Sequence, residues 1–255
     1  MNADPFFDHC PVQGTDAMTN DRRQSILSRI AESDDSSPDR LCKLCMDVTA
    51  TSGVGIMLRS GDVRRGSFGT TDAVSSFIEE MQFMLGEGPC IDAYNLEAPI
   101  AEPNLADMTG RWLGFTPPVL KAGVGALFAF PLRVGTERLG SLDLYRDHSG
   151  ALSDDQHADA LIMADVVSEA VLTTQAAAPP GELAPQLDAV IIPQIVVYQA
   201  VGMVSAQLGV DVDASLIRLK AHAFANDRLL TELSQDVVAR RLRFDATGEA
   251  QDVTS

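Results

Sequence analysis

The apolar positions change their spacing several times along the chain, and each change marks an element. From Arg22 onward, "RRQSILSRIAE" and "DRLCKLCMDVTA" put Ile26, Leu27 and Ile30, then Leu41, Leu44, Cys45 and Val48, at helical intervals. Two helices are predicted there. "GVGIMLRSG" and "RRGSFGT" are short, alternate in character and flank the turn-like "SGDV", which is a hairpin signature. "TDAVSSFIEEMQFMLGEG" opens on Thr71 or Asp72 as N-cap and closes on Gly86, so a helix packed on the sheet follows. The stretch through Trp112 carries Pro89, Pro99, Pro103 and Gly110 and reads as loops with one short strand near Pro99 to Glu102. "GVGALFAFPLRVGTERLGSLDLYRD" gives two longer strands joined at "VGTE", with Gly135 in the turn. "SDDQHADALIMADVVSEAVL" then starts on Ser153 as N-cap and reads as a long amphipathic helix.

The pattern breaks at "TTQAAAPPGELAP" (173–185), small and Pro-rich like an interdomain joint. No strand is expected beyond it. Leu183, Leu187, Val190, Gln194, Val197, Val201, Val204 and Leu208 recur at steps of four and three, the seam of a helix that packs along another helix. Pro193 interrupts that seam, so a continuous helix is expected from about Gln194 to Leu208, ended by Gly209. Asp211 or Asp213 caps a second helix to about Ala225, with Leu216, Leu219, Ala223 and Phe224 inward. "NDR" turns the chain, and Thr231 caps a third helix with Leu233, Val237, Val238 and Leu242 inward. The expected organisation is a disordered leader (1–21), a sensor-sized domain (22–172), a linker (173–185), a helical domain (186–245) and a disordered tail (246–255). The fold class is α+β: an antiparallel sheet with flanking helices, followed by an all-α three-helix module.

Charge adds one feature to this picture. The chain carries a formal net charge of -17, yet the window from Arg218 to Arg243 is locally positive, with Arg218, Lys220, Arg228, Arg240, Arg241 and Arg243 against Asp227, Glu232 and Asp236. Overall acidity argues against nonspecific duplex binding, because a field of like sign repels phosphates. The local reversal reads either as a solvated helical face or as a phosphate contact surface. Arg240, Arg241 and Arg243 also sit where cations complement a helix C-terminus. No apolar run approaches the roughly 20 residues of a membrane span, and the N-terminus lacks an export pattern, so a cytoplasmic protein is expected.

Candidate chemistry is sparse. Cys42 and Cys45 form an isolated CxxC without the second half of a zinc site, and His148 and His157 lack metal spacing and read as surface residues. There is no GxSxG, P-loop or HExxH, so neither catalysis nor a cofactor is expected. Cys90 lies in a Gly-Pro stretch, where it is either exposed to an oxidant or ligand or buried as a small apolar residue. Trp112, Phe115, Phe128, Phe130 and Tyr145 line a ligand pocket on one face of the sheet or belong to ordinary core. Ala200 and Gly202 lack bulk, which permits close approach either of a base or of another helix.

The segment from Tyr198 to Phe244, with its QAxGM, LGV, LxRLxAHA and VVARRL stretches, resembles an ANTAR domain, the three-helix RNA-binding output module of bacterial antiterminators. It departs from the common pattern at Val201, where many members carry a basic residue. The upstream part, through "LGEGPCIDA" and the closing hairpin with its helix, resembles the GAF domains joined to ANTAR modules in actinobacteria. GAF domains have a central antiparallel sheet with helices around it and commonly sense small molecules or redox state. The NKF motif of the cyclic-nucleotide binders in that family is absent. The resemblance implies a homodimer joined through the apolar seam, a small-molecule or redox signal, and RNA stem-loops in nascent transcripts as partner. Its implied RNA contacts are Gln199, Ala200, Gly202, Arg218, Lys220, Arg228, Arg240 and Arg241, with Cys90, Trp112, Phe128, Phe130 and Tyr145 as candidate signal-site residues. The alternatives are a GAF-type redox enzyme resembling the methionine sulfoxide reductases, with Cys90 as nucleophile, and a protein-interaction regulator without RNA binding.

Overall fold

The computed structural model describes residues 13–32, 37–60, 63–108, 110–179, 184–226, 228–245 and 250–252. Strands β1 (Gly53–Ser60), β2 (Val63–Thr70), β3 (Ile100–Glu102), β4 (Ala126–Val134) and β5 (Glu137–Arg146) form one antiparallel sheet in the order β2-β1-β5-β4-β3. The two predicted hairpins are its β1-β2 and β4-β5 pairs. In the second, Val134 pairs with Glu137 across a two-residue turn, which puts Gly135 at a φ of 60°. Gly140 serves packing instead, since a Cβ there would meet the Met57 carbonyl oxygen at 1.9 Å.

Strand alternation sorts the sheet into two cores. Val54, Ile56, Leu58, Phe128, Phe130, Leu142 and Leu144 face a layer made by α1 (Gln13–Ala31), α2 (Pro38–Thr49) and α6 (Asp154–Ala176). Leu127 and Tyr145 face the opposite way, toward α3 (Ala73–Leu85), α4 (Pro89–Leu96) and α5 (Thr116–Lys121). Local signals fix these helices. Ser37 caps α2, and reciprocal capping boxes pair Asp72 with Ser75 on α3 and Ser153 with Gln156 on α6.

The C-terminal helices α7 (Pro185–Leu208), α8 (Val212–Ala225) and α9 (Leu230–Val238) complete the second core, where Val197, Val201, Val204, Leu219, Leu233 and Val237 are buried together. The axes of Ile195–Leu208 and Val212–Ala225 bend by 105° at the Gly209 turn. These helices do not hang from a free linker: α7 packs on β2, and Thr231 at the start of α9 bonds to Glu80 of α3. No single helix among the described residues is long and apolar enough to cross a membrane.

Several expectations are corrected here. Helix α1 begins at Gln13, inside the stretch read as a leader, and Arg22 and Arg23 tie it to Asp155, Asp159 and Glu169 of α6. The Pro-rich stretch from Gly86 to Trp112 holds helix α4, because Pro89 sits in its first turn, where a missing N–H costs nothing, and α5 follows beyond Trp112 with Pro117 in the same position. Helix α7 continues through Pro193. The third helix ends at Val238, so Leu242 lies in strand β6 (Leu242–Phe244), which pairs with β7 (Ala250–Asp252) in the stretch read as a disordered tail. Thr231 is not the α9 cap; Leu229 holds that position without a side-chain bond. Phe224 is exposed, not inward. Of the apolar seam, Leu187 is buried in the first core and Val197, Val201 and Val204 in the second, so pairing of two chains through it requires these contacts to open. The side chains of Leu183, Val190 and Gln194 lie outside the described residues.

Candidate functional site

Within a single turn, helix α3 presents three polar residues, Glu79, Glu80 and Gln82, to its surroundings. Gln82 is buried beneath α4, where its Oε1 accepts the Cys90 N–H at 2.7 Å and its Nε2 donates to Asp143 Oδ2 at 2.9 Å. It thereby serves the free N-terminal amides of α4, whose own N-cap, Gly88, offers no side chain. Gly88 is required twice over, by its φ of 134° and because a Cβ would lie 2.6 Å from Gln82.

Glu79 reaches toward the sheet over Gly55, where a Cβ would stand 2.2 Å from its Oε1. The side chain is 2% exposed, and neither of its oxygens nor Asp143 Oδ1 meets a donor. Burial raises both carboxyls: Asp143 is pushed up to about 6 even though its hydrogen bonds pull the other way, and Glu79 rises well above the carboxylate range, helped by the neighbouring Asp143. Two such groups stripped of water cannot both ionise, so the pair holds a proton between them near neutral pH.

Glu80 makes the joint between the two parts of the chain. Its Oε1 accepts the Thr231 N–H and the Thr231 hydroxyl, both at 2.9 Å, and so caps α9 from outside. Burial raises its carboxyl, opposed by these bonds. Beside the joint lies a chamber of about 320 Å³, lined by Met57, Gly66, Ser67, Ser76, Glu79, Glu80, Phe83, Val197, Thr231 and Gln235. A larger cavity, about 670 Å³, opens between α1, α2 and α6. Its charged groups are already engaged, Arg40 by the Arg29 and Ile30 carbonyls and Glu169 by Arg23.

The aromatic residues read as one pocket are divided by the sheet. Phe128 and Phe130 lie in the first core, with the His157 ring tilted against Phe130 at a centroid distance of 5.2 Å, so His157 is not a plain surface residue. Trp112, Phe115 and Tyr145 lie in the second core. Trp112 Nε1 donates to Asp92 at 3.0 Å and the Tyr145 hydroxyl donates to Asp72 at 2.9 Å, so both polar tips are used structurally. Cys90 is buried at the start of α4. Cys42 and Cys45 belong to the other core, and burial raises both thiols.

On the C-terminal helices Gln199 and Gly202 are exposed along one side of α7, and open space lies where a Gly202 Cβ would stand. Ala200 is fully buried on the opposite side, since a two-residue step turns a helix by about 200°. Its small size serves helix packing. Arg218 is exposed on α8, and Lys220 is half-buried. Arg228 and Arg241 converge on Asp236: Arg241 Nε lies 2.7 Å from Oδ1, and Arg228 bonds Oδ2. These arginines, Arg228 first, hold the Asp236 carboxyl below its ordinary value. Arg240, at a φ of 60°, and Arg243 are exposed. The cations thus divide into an engaged pair around Asp236 and an exposed set.

Sequence reasoning overlooked Glu79, Glu80, Gln82 and Asp143. A signal was present for the last: Asp143 sits inside a predicted strand, on the same face as Ser141 and Tyr145 and between Leu142 and Leu144. Nothing in the spacing of "SSFIEEMQF" says which acid points inward.

No family model and no curated protein matches the chain. Among solved structures it is similar to the GAF domain of a phosphoenolpyruvate-protein phosphotransferase from Coxiella burnetii, at 13% identity and a TM-score of 0.48 over 62% of this chain and 95% of that one. The GAF domain/HD domain protein from Geobacter sulfurreducens is similar at 15% identity and a TM-score of 0.46, over 58% and 100%. A free methionine-R-sulfoxide reductase from Neisseria meningitidis, solved with its substrate, is similar at 13% identity and a TM-score of 0.47, over 67% and 98%.

Proposed function

We propose that the chain is a signal-responsive regulator, in which a GAF-type sheet domain controls an ANTAR-type helical module that binds RNA stem-loops in nascent transcripts and prevents termination. The observation that carries this reading is the cap that Glu80 of α3 places on α9. A helix packed on the sensor sheet is bonded directly to the last helix of the output module, so a shift of α3 changes the output without a separate linkage. The exposed Arg218, Arg240 and Arg243 supply phosphate contacts, and the open surface at Gln199 and Gly202 supplies room for a splayed base. Asp236, by holding Arg228 and Arg241, keeps two further cations from phosphate until the module rearranges.

The test is fluorescence anisotropy of the full chain with a labelled RNA hairpin, set against its duplex without the loop. Hairpin binding that weakens several-fold in Arg218→Ala and strengthens in Glu80→Ala supports the reading. Equal affinity for hairpin and duplex, or no response to either substitution, overturns it.

A further inference from the structure

One end of the sheet, where the β1-β2 and β4-β5 hairpins turn, collects positive charge. Arg59 on β1 has Arg64 as its register partner on β2, and Arg133 on β4 has Arg138 on β5. Leu58 pairs with Gly140, so the two pairs lie side by side across four neighbouring strands. Like charges set opposite one another destabilise a sheet. Among the described residues one acid answers them: Glu97, just after α4, stands 3.8 Å from Arg133 and 4.0 Å from Arg138, too far for a hydrogen bond to either. The Arg59 guanidinium lies 4.2 Å over the centre of the buried Tyr94 ring of α4, and that of Arg138 lies 5.0 Å from the same ring. Nε and Nη1 of Arg59 are closed in there without an acceptor, whereas its Nη2 is neither bonded nor enclosed, and the residue is partly exposed. A buried acid pair can lose its charge by holding a proton, but a guanidinium keeps its own. A cation in that position calls for an anion within reach.

We propose that this end of the sheet binds a phosphate group, free or carried by a small phosphomonoester, at the open Nη2 of Arg59 and the exposed guanidinium of Arg138. Arg133, also exposed, adds charge from the next strand. The ligand sits outside and touches no enclosed atom. It serves the covered part of Arg59 through space, since opposite charges within about 4 to 6 Å act on one another without sharing a hydrogen bond. Three arginines against Glu97 leave a local excess that a phosphomonoester, at about -2, offsets and a single carboxylate does not. The planar guanidinium fork also matches the spacing of two phosphate oxygens. The rest of the chain is acidic and repels anions, so a cluster of this density is needed to hold one. Tyr94 links the site to the remainder of the fold. It belongs to α4, whose first turn is bonded to Gln82 of α3, so an anion that fixes Arg59 and Arg138 against Tyr94 steadies both helices on the sheet. Its standing as a signal rests on the reading of the sheet domain as a sensor.

The probes are sodium phosphate and glycerol 3-phosphate on the full chain, followed by calorimetry, with sodium acetate and sodium chloride at matched ionic strength as singly charged controls. The expected result is saturable binding of at least one phosphate and none of acetate or chloride; tighter binding of the ester than of the free ion, or the reverse, tells which source the site takes. Affinity should fall about tenfold in Arg138→Gln, which removes one charge-assisted contact at the surface. It should rise several-fold in Glu97→Gln, which removes the competing acid. Thermal unfolding reads Arg59 separately. Without phosphate, Arg59→Met should be at least as stable as wild type, because an uncompensated charge has gone, and phosphate should raise the Tm of wild type and leave that of the variant unchanged. No saturable binding of either phosphate, equal binding of acetate, or an affinity unchanged in both Arg138→Gln and Glu97→Gln overturns the proposal. A parallel tenfold loss of hairpin RNA affinity in Arg138→Gln also overturns it, by making the cluster an RNA contact. Phosphate binding is measured without RNA, so a chain that fails to bind the hairpin strikes the output reading and leaves this result standing.

Discussion

Replacing Asp143 by asparagine should change how stability depends on pH more than it changes stability itself. In the folded chain the Asp143 carboxyl is raised from 3.8 to about 6, with burial as the leading cause. Between those values the native state binds more protons than the unfolded chain, so stability rises as the pH falls through the window and the gain is absent above about 6. Acidification from pH 7.5 to 5 therefore adds on the order of 1 kcal/mol from this group alone. That corresponds to a rise of a few degrees, roughly 2 to 4 °C, in Tm for a domain of this size. Glu79 and Glu80 are raised in the same direction and steepen the wild-type curve. An asparagine keeps the shape, cannot titrate, and offers Glu79 a donor, so Asp143→Asn should be at least as stable as wild type at pH 7.5 and should lack the added gain at pH 5. The assay is thermal or urea unfolding of both proteins across pH 5 to 7.5. Parallel curves would refute the assignment of a strained acid pair beneath α3.

Four further outcomes follow from the same geometry. Glu80→Ala removes the external cap of α9 and should cost about 1 kcal/mol, read by unfolding, with faster hydrogen exchange confined to the first turn of that helix. Gly55→Ala forces a methyl group against Glu79 Oε1 and should cost roughly 1 to 3 kcal/mol in urea unfolding, less when combined with Glu79→Ala. Asp236→Asn frees Arg228 and Arg241, so RNA affinity should rise and the salt dependence of binding should steepen by up to about two phosphate contacts. Because Leu187, Val197, Val201 and Val204 are covered within the chain, the protein without signal or RNA should sediment as a monomer at micromolar concentration; a stable dimer abolished by Val201→Asp would show that the seam opens.

The sheet was legible because both hairpins carry their own turn chemistry, and the caps at Asp72, Ser153 and Asp211 are local enough to read from the residues that make them. What the sequence concealed depends on contacts far apart in the chain. Glu80 and Thr231 are separated by 151 residues, and no local pattern announces that one helix will cap another. The C-terminal seam showed its spacing but not its partner: the same period serves a second chain or this chain's own α8, α9 and sheet domain, and the structure uses it internally. The division of Phe128 and Phe130 from Trp112 and Tyr145 follows from strand parity and was available in principle. The burial of Ala200 likewise follows from the turn per residue, once Gly202 is known to be exposed.

Two helices, one in each part of the molecule, depend for their first turn on side chains that α3 lends them within a single turn of its own length. The phase of α3 is therefore locked. Inserting one residue between Glu79 and Gln82 would rotate everything beyond it by about 100°, moving Gln82 out of reach of α4 while Glu80 is turned or held according to where the insertion falls. Substitutions on the outer surface of α3 are free to accumulate, but its length between these hooks is not.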